Sequence, residues 1–272
     1  AMKTTYKLTN PNKRPKWHKV SFFGYFTLAL VTFLSIFPFY WMFIVASNGT
    51  DEVSKIPPTL IPGPRFFTVM NHVYEALPAF NQALINSFYV GTVVAVAQVF
   101  FSALAGFAFA KLRFLGKRSM LGFVIGTMML PSQLGIIPLF IMMARFGWVD
   151  SLKALIVPAL VTAFGVFWMR QVIDSQVPNE LLEAASIDRA SLLRIYWSVV
   201  LPIIRPSAFV LGLFSFLAVW NDFLWPSLVL QKPEVFTAQV AVKQLNASYV
   251  VDYSLTLGGA FLATAPLLLL VL

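Results

Sequence analysis

Six apolar runs, separated by shorter polar segments, dominate the pattern of this 272-residue chain. An apolar run of about 20 residues is long enough to cross a bilayer as a helix. The pattern therefore predicts an all-α, polytopic membrane protein with six transmembrane helices. The predicted spans are Val20–Ala46, Leu84–Ala110, Met120–Met143, Ala154–Met169, Ser207–Leu230 and Ser254–Leu272.

Prolines modify this pattern. Pro38 is expected to kink the first span, and Pro131 and Pro138 to interrupt the third. The loop of residues 47–83 is rich in proline, which favours irregular backbone there. The composition agrees with a membrane protein, because 58% of the residues are hydrophobic and only 11% are charged.

The distribution of basic residues predicts the orientation. Of the 20 Lys and Arg residues, 14 lie in the N-terminus and in the loops after the second and fourth spans. The positive-inside rule places these segments, and both termini, in the cytoplasm. This topology explains the net charge of +9 better than nucleic-acid binding does. Residues 1–19 form a cytoplasmic basic N-terminus, and residues 20–272 form the transmembrane domain; a signal peptide would have a shorter apolar core.

Several kinds of site are disfavoured. The chain has no cysteine, and His18 and His72 are far apart, so no metal site is expected. The phosphate-binding pattern G-x-x-x-x-G-K-[ST] does not occur, so no ATP hydrolysis and no cofactor are expected in this chain. The sequence stops inside an apolar run without a basic anchor, and we expect a further C-terminal tail.

The longest polar segment, Gln171–Pro206, holds four of the eleven acidic residues. It predicts two short helices in a cytoplasmic loop. Pro178 suits the first turn of the first helix, and Leu201-Pro202 is expected to end the second. A folded cytoplasmic loop between spans indicates a contact site for a soluble partner.

The motifs Glu183-Ala184-Ala185 and Leu201-Pro202 resemble the EAA loop of bacterial ATP-binding-cassette importer permeases. Over nearly the whole chain, the order of further motifs is similar to the MalG-type permeases of carbohydrate importers. These motifs are Asn86-Ser87-Phe88, Ala108–Gly116, Met129-Leu130-Pro131, Ile136–Leu139, Trp168–Gln171, Val177–Asp188 and Trp220–Pro226.

The resemblance implies a permease subunit in the inner membrane of a bacterium. Its implied partners are a second homologous permease, two cytoplasmic ATPase subunits that bind ATP and Mg²⁺, and an extracytoplasmic solute-binding protein. The implied substrate is a carbohydrate, more specifically an oligosaccharide. Glycerol-phosphate or a polyol is the alternative. No nucleic-acid partner is expected, because the predicted topology accounts for the net charge.

The same resemblance assigns the contact with the ATPase to one helix. The implied coupling residues are Glu180, Glu183, Ala184, Ala185, Asp188 and Arg189. The alternatives are a solvated carboxylate for Glu183 and a local ion pair for Asp188 with Arg189. Arg189 stands where the family usually has glycine. If the turn requires a positive φ, arginine adds steric strain.

A second candidate site lies in the fifth span. Asp222 is the one acidic residue placed inside a predicted span, and an intramembrane carboxylate indicates function. Asn221 and Asp222 could bind sugar hydroxyls, and Trp220 or Trp225 could stack on a sugar ring. The alternative is that Asn221 and Asp222 tie helices together or face the partner permease, while the two tryptophans mark the outer interface of the bilayer.

Two other classes of function remain open from the residues alone. A secondary transporter driven by protons or sodium predicts inverted repeats and several intramembrane acids. A membrane enzyme predicts a cluster of catalytic side chains. The sequence shows neither pattern.

Overall fold

The computed structural model describes residues 21–50, 55–245 and 252–271. The predicted basic N-terminus, residues 1–19, lies outside the described residues. All regular elements in these ranges are helical, which confirms the predicted all-α class. The helices are α1 Phe22–Ser47, α2 Phe66–Ala76, α3 Phe80–Lys111, α4 Lys117–Met128, α5 Ile136–Arg145, α6 Lys153–Ile156, α7 Ala163–Gln176, α8 Asn179–Ile187, α9 Leu192–Ile195, α10 Leu201–Asn221, α11 Leu224–Val229, α12 Ala238–Gln244 and α13 Tyr253–Val271.

Three helical stretches of the described chain are long and apolar enough to cross a membrane. These are α1, α3 and the continuous helix Leu192–Asn221 formed by α9 and α10. Two bent helix pairs raise the number to five if each pair is one span, and α13 is a further apolar helix. Apolar helices long enough to cross a membrane are therefore confirmed, while the count of six spans remains a prediction.

The third predicted span is broken. Helices α4 and α5 meet at an angle of 93°, with Pro131 and the 3₁₀ turn Ser132–Gly135 between them. Proline removes a backbone donor, and its ring clashes with the preceding turn, so it disrupts a continuous helix at this point. The fourth span is also bent, by 40°, where the 3₁₀ turn Val157–Ala159 joins α6 to the segment before α7.

Two predictions about the connections are wrong. The proline-rich loop is not irregular throughout, because α2 forms between Pro64 and Pro78 and buries Val73 completely. Leu201-Pro202 does not end a helix either. Pro202 lies within the continuous helix Leu192–Asn221, just after the π turn Tyr196–Val200, and the altered hydrogen bonding of this turn accommodates the proline.

The helices pack around two main apolar cores, and α3 contributes to both. The connector core joins α3 to α11, α12 and the segment between them through residues such as Phe80, Val90 and Phe236. The loop core joins α3 to α7, α9 and α10 through residues such as Phe107 and Ile173. In contrast, the first half of α1 is exposed, which is typical of a surface that meets lipid or another subunit.

Close approach of α3 to α7 depends on a glycine. A Cβ atom added to Gly106 would lie 2.8 Å from the backbone nitrogen of Arg170 and from the carbonyl carbon of Met169. Small residues allow this separation between membrane helices. The loop core is therefore built on a tight α3–α7 contact.

Candidate functional site

Helix α8 carries the EAA motif and is attached to the loop core. Pro178 immediately precedes its first residue, and Glu180 lies in the first turn, where the helix dipole favours a negative charge. Leu182 and Ala185 pack against the loop core. The helix is therefore held on one side by apolar contacts.

The other side of α8 is exposed. Glu183 and Ala184 lie on this side, and Ile187 is 83% exposed. Leu192 and Leu193, which follow α8 in the chain, are also exposed, so this polar loop carries several exposed apolar side chains. Exposed apolar side chains in a polar loop are typical of a surface that binds another protein.

The carboxylates of this helix have no partner within the described residues. Glu180 and Glu183 form neither an ion pair nor a side-chain hydrogen bond there, and Asp188 forms no ion pair with Arg189. The nearby pair Arg170–Asp174 has a separation of 3.9 Å at the end of α7. Glu183 is thus available to a basic group of another chain.

Helix α8 ends in a turn with left-handed backbone at Arg189, where φ is +56°. The backbone N–H of Ala190 bonds to the carbonyl oxygen of Ala185, and that of Arg189 bonds to Ser186. These two bonds define the Schellman motif, which usually has glycine at the position of Arg189. The turn does require positive φ, and arginine occupies it at a steric cost.

Two polar contacts fasten α8 and its flanks to the spans. The Lys111 ammonium, at the end of α3, donates to the Asn179 side-chain oxygen at 2.9 Å. The Gln176 amide, at the end of α7, donates to the Ser207 hydroxyl at 3.0 Å. The beginning of α8 is therefore tied directly to the end of α3.

A cavity of about 640 Å³ lies between α3, the broken third span, the α10–α11 break and the segment before α12. Asp222 and Trp225 line this central cavity. The volume lies within the range of about 300–1,000 Å³ that is usual for small-ligand sites. The helix is interrupted after α10, and this interruption places Asp222 at the cavity.

The other two predicted path residues lie elsewhere. Trp220 is buried, and its indole N–H donates to the carbonyl oxygen of Ala263 in α13 at 3.2 Å. Asn221 is exposed and donates to the Leu217 carbonyl of its own helix at 2.9 Å. Trp220 thus ties α10 to α13, a role that neither interpretation of the sequence gave to it. Of the four predicted path residues, the structure groups Asp222 and Trp225 at the cavity.

Sequence reasoning missed several polar side chains at the central cavity. Ser87, Ser132, Gln133 and Thr237 line it with Asp222. Thr237 is 4% exposed, and its hydroxyl has no hydrogen-bond partner among the described residues. Ser87 belongs to a motif that the sequence does present, but nothing in the sequence separates a cavity-lining serine from a packing one.

The connector between α11 and α12 is held by side chains of two other segments. The Asn86 amide donates to the carbonyl oxygens of Glu234 at 3.1 Å and Phe236 at 3.0 Å. The Ser87 hydroxyl accepts from the backbone N–H of Ala238 at 2.8 Å. Asp150, whose φ is +59°, accepts from the backbone N–H groups of residues 231 and 232. One wall of the cavity is therefore pinned to α3.

Two polar residues inside the spans, Gln98 and Ser215, join helices to one another. The Gln98 amide donates to the Ala159 carbonyl at 2.8 Å and accepts from the Ser215 hydroxyl at 2.6 Å. These bonds join α3 to the fourth and fifth spans. Interhelical hydrogen bonds of this kind are common in membrane bundles.

A family model described as the binding-protein-dependent transport system inner membrane component matches residues 98–272, which include the whole EAA loop and the break between α10 and α11. This match covers more than half of the chain. The chain belongs to this family. The resemblance drawn from the motifs is thereby confirmed, and the protein is a multi-pass permease component of the inner membrane.

Individual relatives agree with the family. The permease is 31% identical over 231 residues to the sn-glycerol-3-phosphate transport system permease protein UgpE of Yersinia enterocolitica, covering 83% of this chain and 82% of the relative. It is 29% identical over 248 residues to the arabinooligosaccharides transport system permease protein AraQ of Halalkalibacterium halodurans, covering 89% and 87%.

A solved structure has the same fold. It is a chain of a bacterial ABC transporter involved in the import of the acidic polysaccharide alginate, with a TM-score of 0.78, 20% identity and 92% coverage of both chains. At this identity, the likeness establishes the fold of the permease.

Proposed function

We propose that this permease is the membrane-spanning subunit of an ATP-driven importer for a carbohydrate, more specifically an oligosaccharide. The observation that carries the proposal is the exposed face of α8, where Glu183 has no partner in the described chain. A second permease, two ATPase subunits and a solute-binding protein complete the importer. ATP and Mg²⁺ bind to the ATPase subunits, and this chain itself is not an enzyme.

The coupling step takes place at α8. Its exposed side, with Glu183, Ala184 and Ile187, enters a cleft of one ATPase subunit, and Glu183 pairs with a basic group there. Because Leu182 and Ala185 hold the opposite side on the loop core, a displacement of α8 moves the spans behind it. Closure of the ATPase dimer then changes access to the substrate path as a rigid-body movement.

The orientation follows from the basic residues. The EAA loop and both termini lie in the cytoplasm, and the loops of residues 47–83 and 231–253 face the opposite side. These outer loops receive the solute-binding protein. The firm attachment of the connector to α3 through Asn86 supports this role, since a docking surface benefits from a fixed backbone.

The substrate path includes the central cavity. Its volume suits a sugar unit, and it combines an aromatic ring, hydroxyl groups and a carboxylate. The arabinooligosaccharide relative supports an oligosaccharide, whereas the sn-glycerol-3-phosphate relative supports the alternative substrate. The coupling role of α8 is the same for both substrates.

The decisive test is Glu183→Ala in the reconstituted importer. We expect the ATPase activity stimulated by the loaded binding protein to be lost, because removal of one partner from a buried ion pair costs about 3–5 kcal/mol. Asp174→Ala is the matched control, since it removes an exposed acid with a weak local pair. Loss of the ATPase subunits from the mutant complex identifies Glu183 as a docking residue, while wild-type stimulation refutes its coupling role.

A further inference from the structure

The charge on the wall of the central cavity is negative. Among the described residues that line it, Asp222 is the sole charged side chain. The Lys243 ammonium lies 4.7 Å from the ring centre of Phe223, but this lysine lines a separate surface cleft. An anionic ligand in the cavity therefore meets a carboxylate without a compensating cation on its wall. Repulsion between two anions is stronger beside the low-dielectric protein wall of a cavity than in bulk water.

Hydroxyl groups complement this charge. The Thr237 hydroxyl is buried and has no partner among the described residues. A buried polar group without a hydrogen bond is unusual and is expected to find a partner. The Ser87 hydroxyl accepts one bond from Ala238, and its own proton has no acceptor in the described chain. Both positions can exchange hydrogen bonds with an uncharged polyhydroxylated ligand.

Trp225 supplies an apolar surface beside these groups. Its indole N–H is already donated to the Ala154 carbonyl at 3.0 Å, which fixes the orientation of the ring. A half-buried ring held in this way presents a flat apolar surface at low entropic cost. Together with Asp222 as an acceptor for hydroxyl protons, it matches the mixed apolar and polar faces of a sugar ring.

We propose that this subunit itself holds a substrate subsite in the central cavity, formed by Ser87, Thr237, Asp222 and Trp225, and that the subsite selects uncharged sugars against phosphorylated or acidic ones. This inference rests on the proposed importer function and narrows its substrate class. It predicts that sn-glycerol 3-phosphate is not the cargo of this permease, although a relative carries that name.

The first test measures the charge preference of the cavity without any knowledge of the sugar. The chain has no cysteine, so Ser132→Cys provides a single reporter thiol on the cavity wall. The purified complete complex is labelled with a cationic and an anionic methanethiosulfonate reagent of similar size. After correction for the reactivity of a free thiol, we expect the cationic reagent to react about tenfold faster. Asp222→Asn abolishes this preference, and Asp222→Glu retains it.

A reporter outside the cavity gives the control. Ser175→Cys is exposed at the end of α7, and its labelling ratio is expected to stay the same in the Asp222→Asn background. Equal or anion-favouring labelling at Ser132→Cys overturns the inference, even if Asp222→Asn fails to assemble. So does a cation preference that survives in an assembled Asp222→Asn complex. Neither result affects the proposed importer function, because labelling requires no transport.

The second test addresses the hydroxyl of Thr237. Thr237→Val keeps the side-chain shape and removes an unpartnered buried hydroxyl, so thermal stability is expected to be unchanged or higher. The probe is the oligosaccharide recovered from the purified binding protein, radiolabelled and delivered in proteoliposomes. We expect sugar uptake per ATP hydrolysed to fall several-fold. Uptake equal to that of the wild type removes Thr237 from the subsite.

Discussion

Replacement of Gly106 by alanine tests the tight contact between α3 and α7. The added Cβ would lie 2.8 Å from two backbone atoms of α7, whereas ordinary contacts begin at 3.4 Å, so the helices must separate by roughly 0.6 Å. Overpacking of this kind costs about 1–3 kcal/mol. The cost at Gly106 lies at the upper end of this range, because the backbone atoms of α7 cannot rotate away as a side chain can. Alanine regains about 1 kcal/mol of helix propensity, which leaves a net loss of about 2 kcal/mol.

The assay is thermal unfolding of the purified subunit in detergent. A loss of about 2 kcal/mol corresponds to a decrease in Tm of roughly 4–8 °C for a chain of this size. Gly122→Ala is the matched control: Gly122 is also inside a helix, in α4, and its added Cβ would meet no described atom within 4 Å. This control is expected to melt at the wild-type temperature or slightly above it. A Gly106→Ala variant that melts with the control refutes the packing argument.

Two further predictions concern helix ends. Arg189→Gly is expected to raise the free energy of unfolding by about 0.5–1 kcal/mol, because glycine accepts the left-handed backbone of the α8 turn. A rise in Tm tests this prediction. The control Arg194→Gly, within α9, is expected to lower Tm. At the start of α13, burial raises the pKa of the Asp252 carboxyl, but bonds from Thr50, Ser254 and the N–H of Leu255 outweigh it and lower the pKa below 3.8. The ionised Asp252 carboxylate therefore stabilises the fold above pH 3.8, and this stabilisation is lost as the pH falls through the lowered pKa. Measurement of Tm between about pH 3 and pH 6 tests this, and Asp252→Asn is expected to show a smaller change of Tm with pH.

Hydropathy predicted the positions of the membrane helices in the sequence, but not where these helices bend or remain continuous. The long apolar runs become α1, α3 and α10 because a helix is the way to satisfy every backbone group inside a bilayer. The 93° break at Pro131 was expected as an interruption, but its angle depends on packing that sequence does not encode locally. At Pro202 the local rule failed, because a π turn accommodates the proline without ending the helix.

A candidate site was easier to predict when its residues lie close together in the sequence. The EAA motif is short and local, so the resemblance placed Glu183 and Ala184 on a helix, and both are exposed on α8. Their coupling role stays a prediction. The central cavity joins residues more than one hundred positions apart, such as Ser87 and Asp222. Its carboxylate was noticeable because acids are rare in spans, whereas Thr237 lies in a polar connector where a threonine is unremarkable.

Helix α3 has 32 residues and is therefore about 48 Å long, which exceeds the thickness of a bilayer. Near one end, Asn86 and Ser87 grip the connector. At the other end, Lys111 holds the first residue of α8. A rigid helix that is attached near both ends transmits a displacement from one end to the other without changing its own conformation. In the importer proposed above, α3 would therefore connect the two faces of the membrane through one element. A loaded binding protein that displaced the connector would then also displace the end of α3 that holds α8.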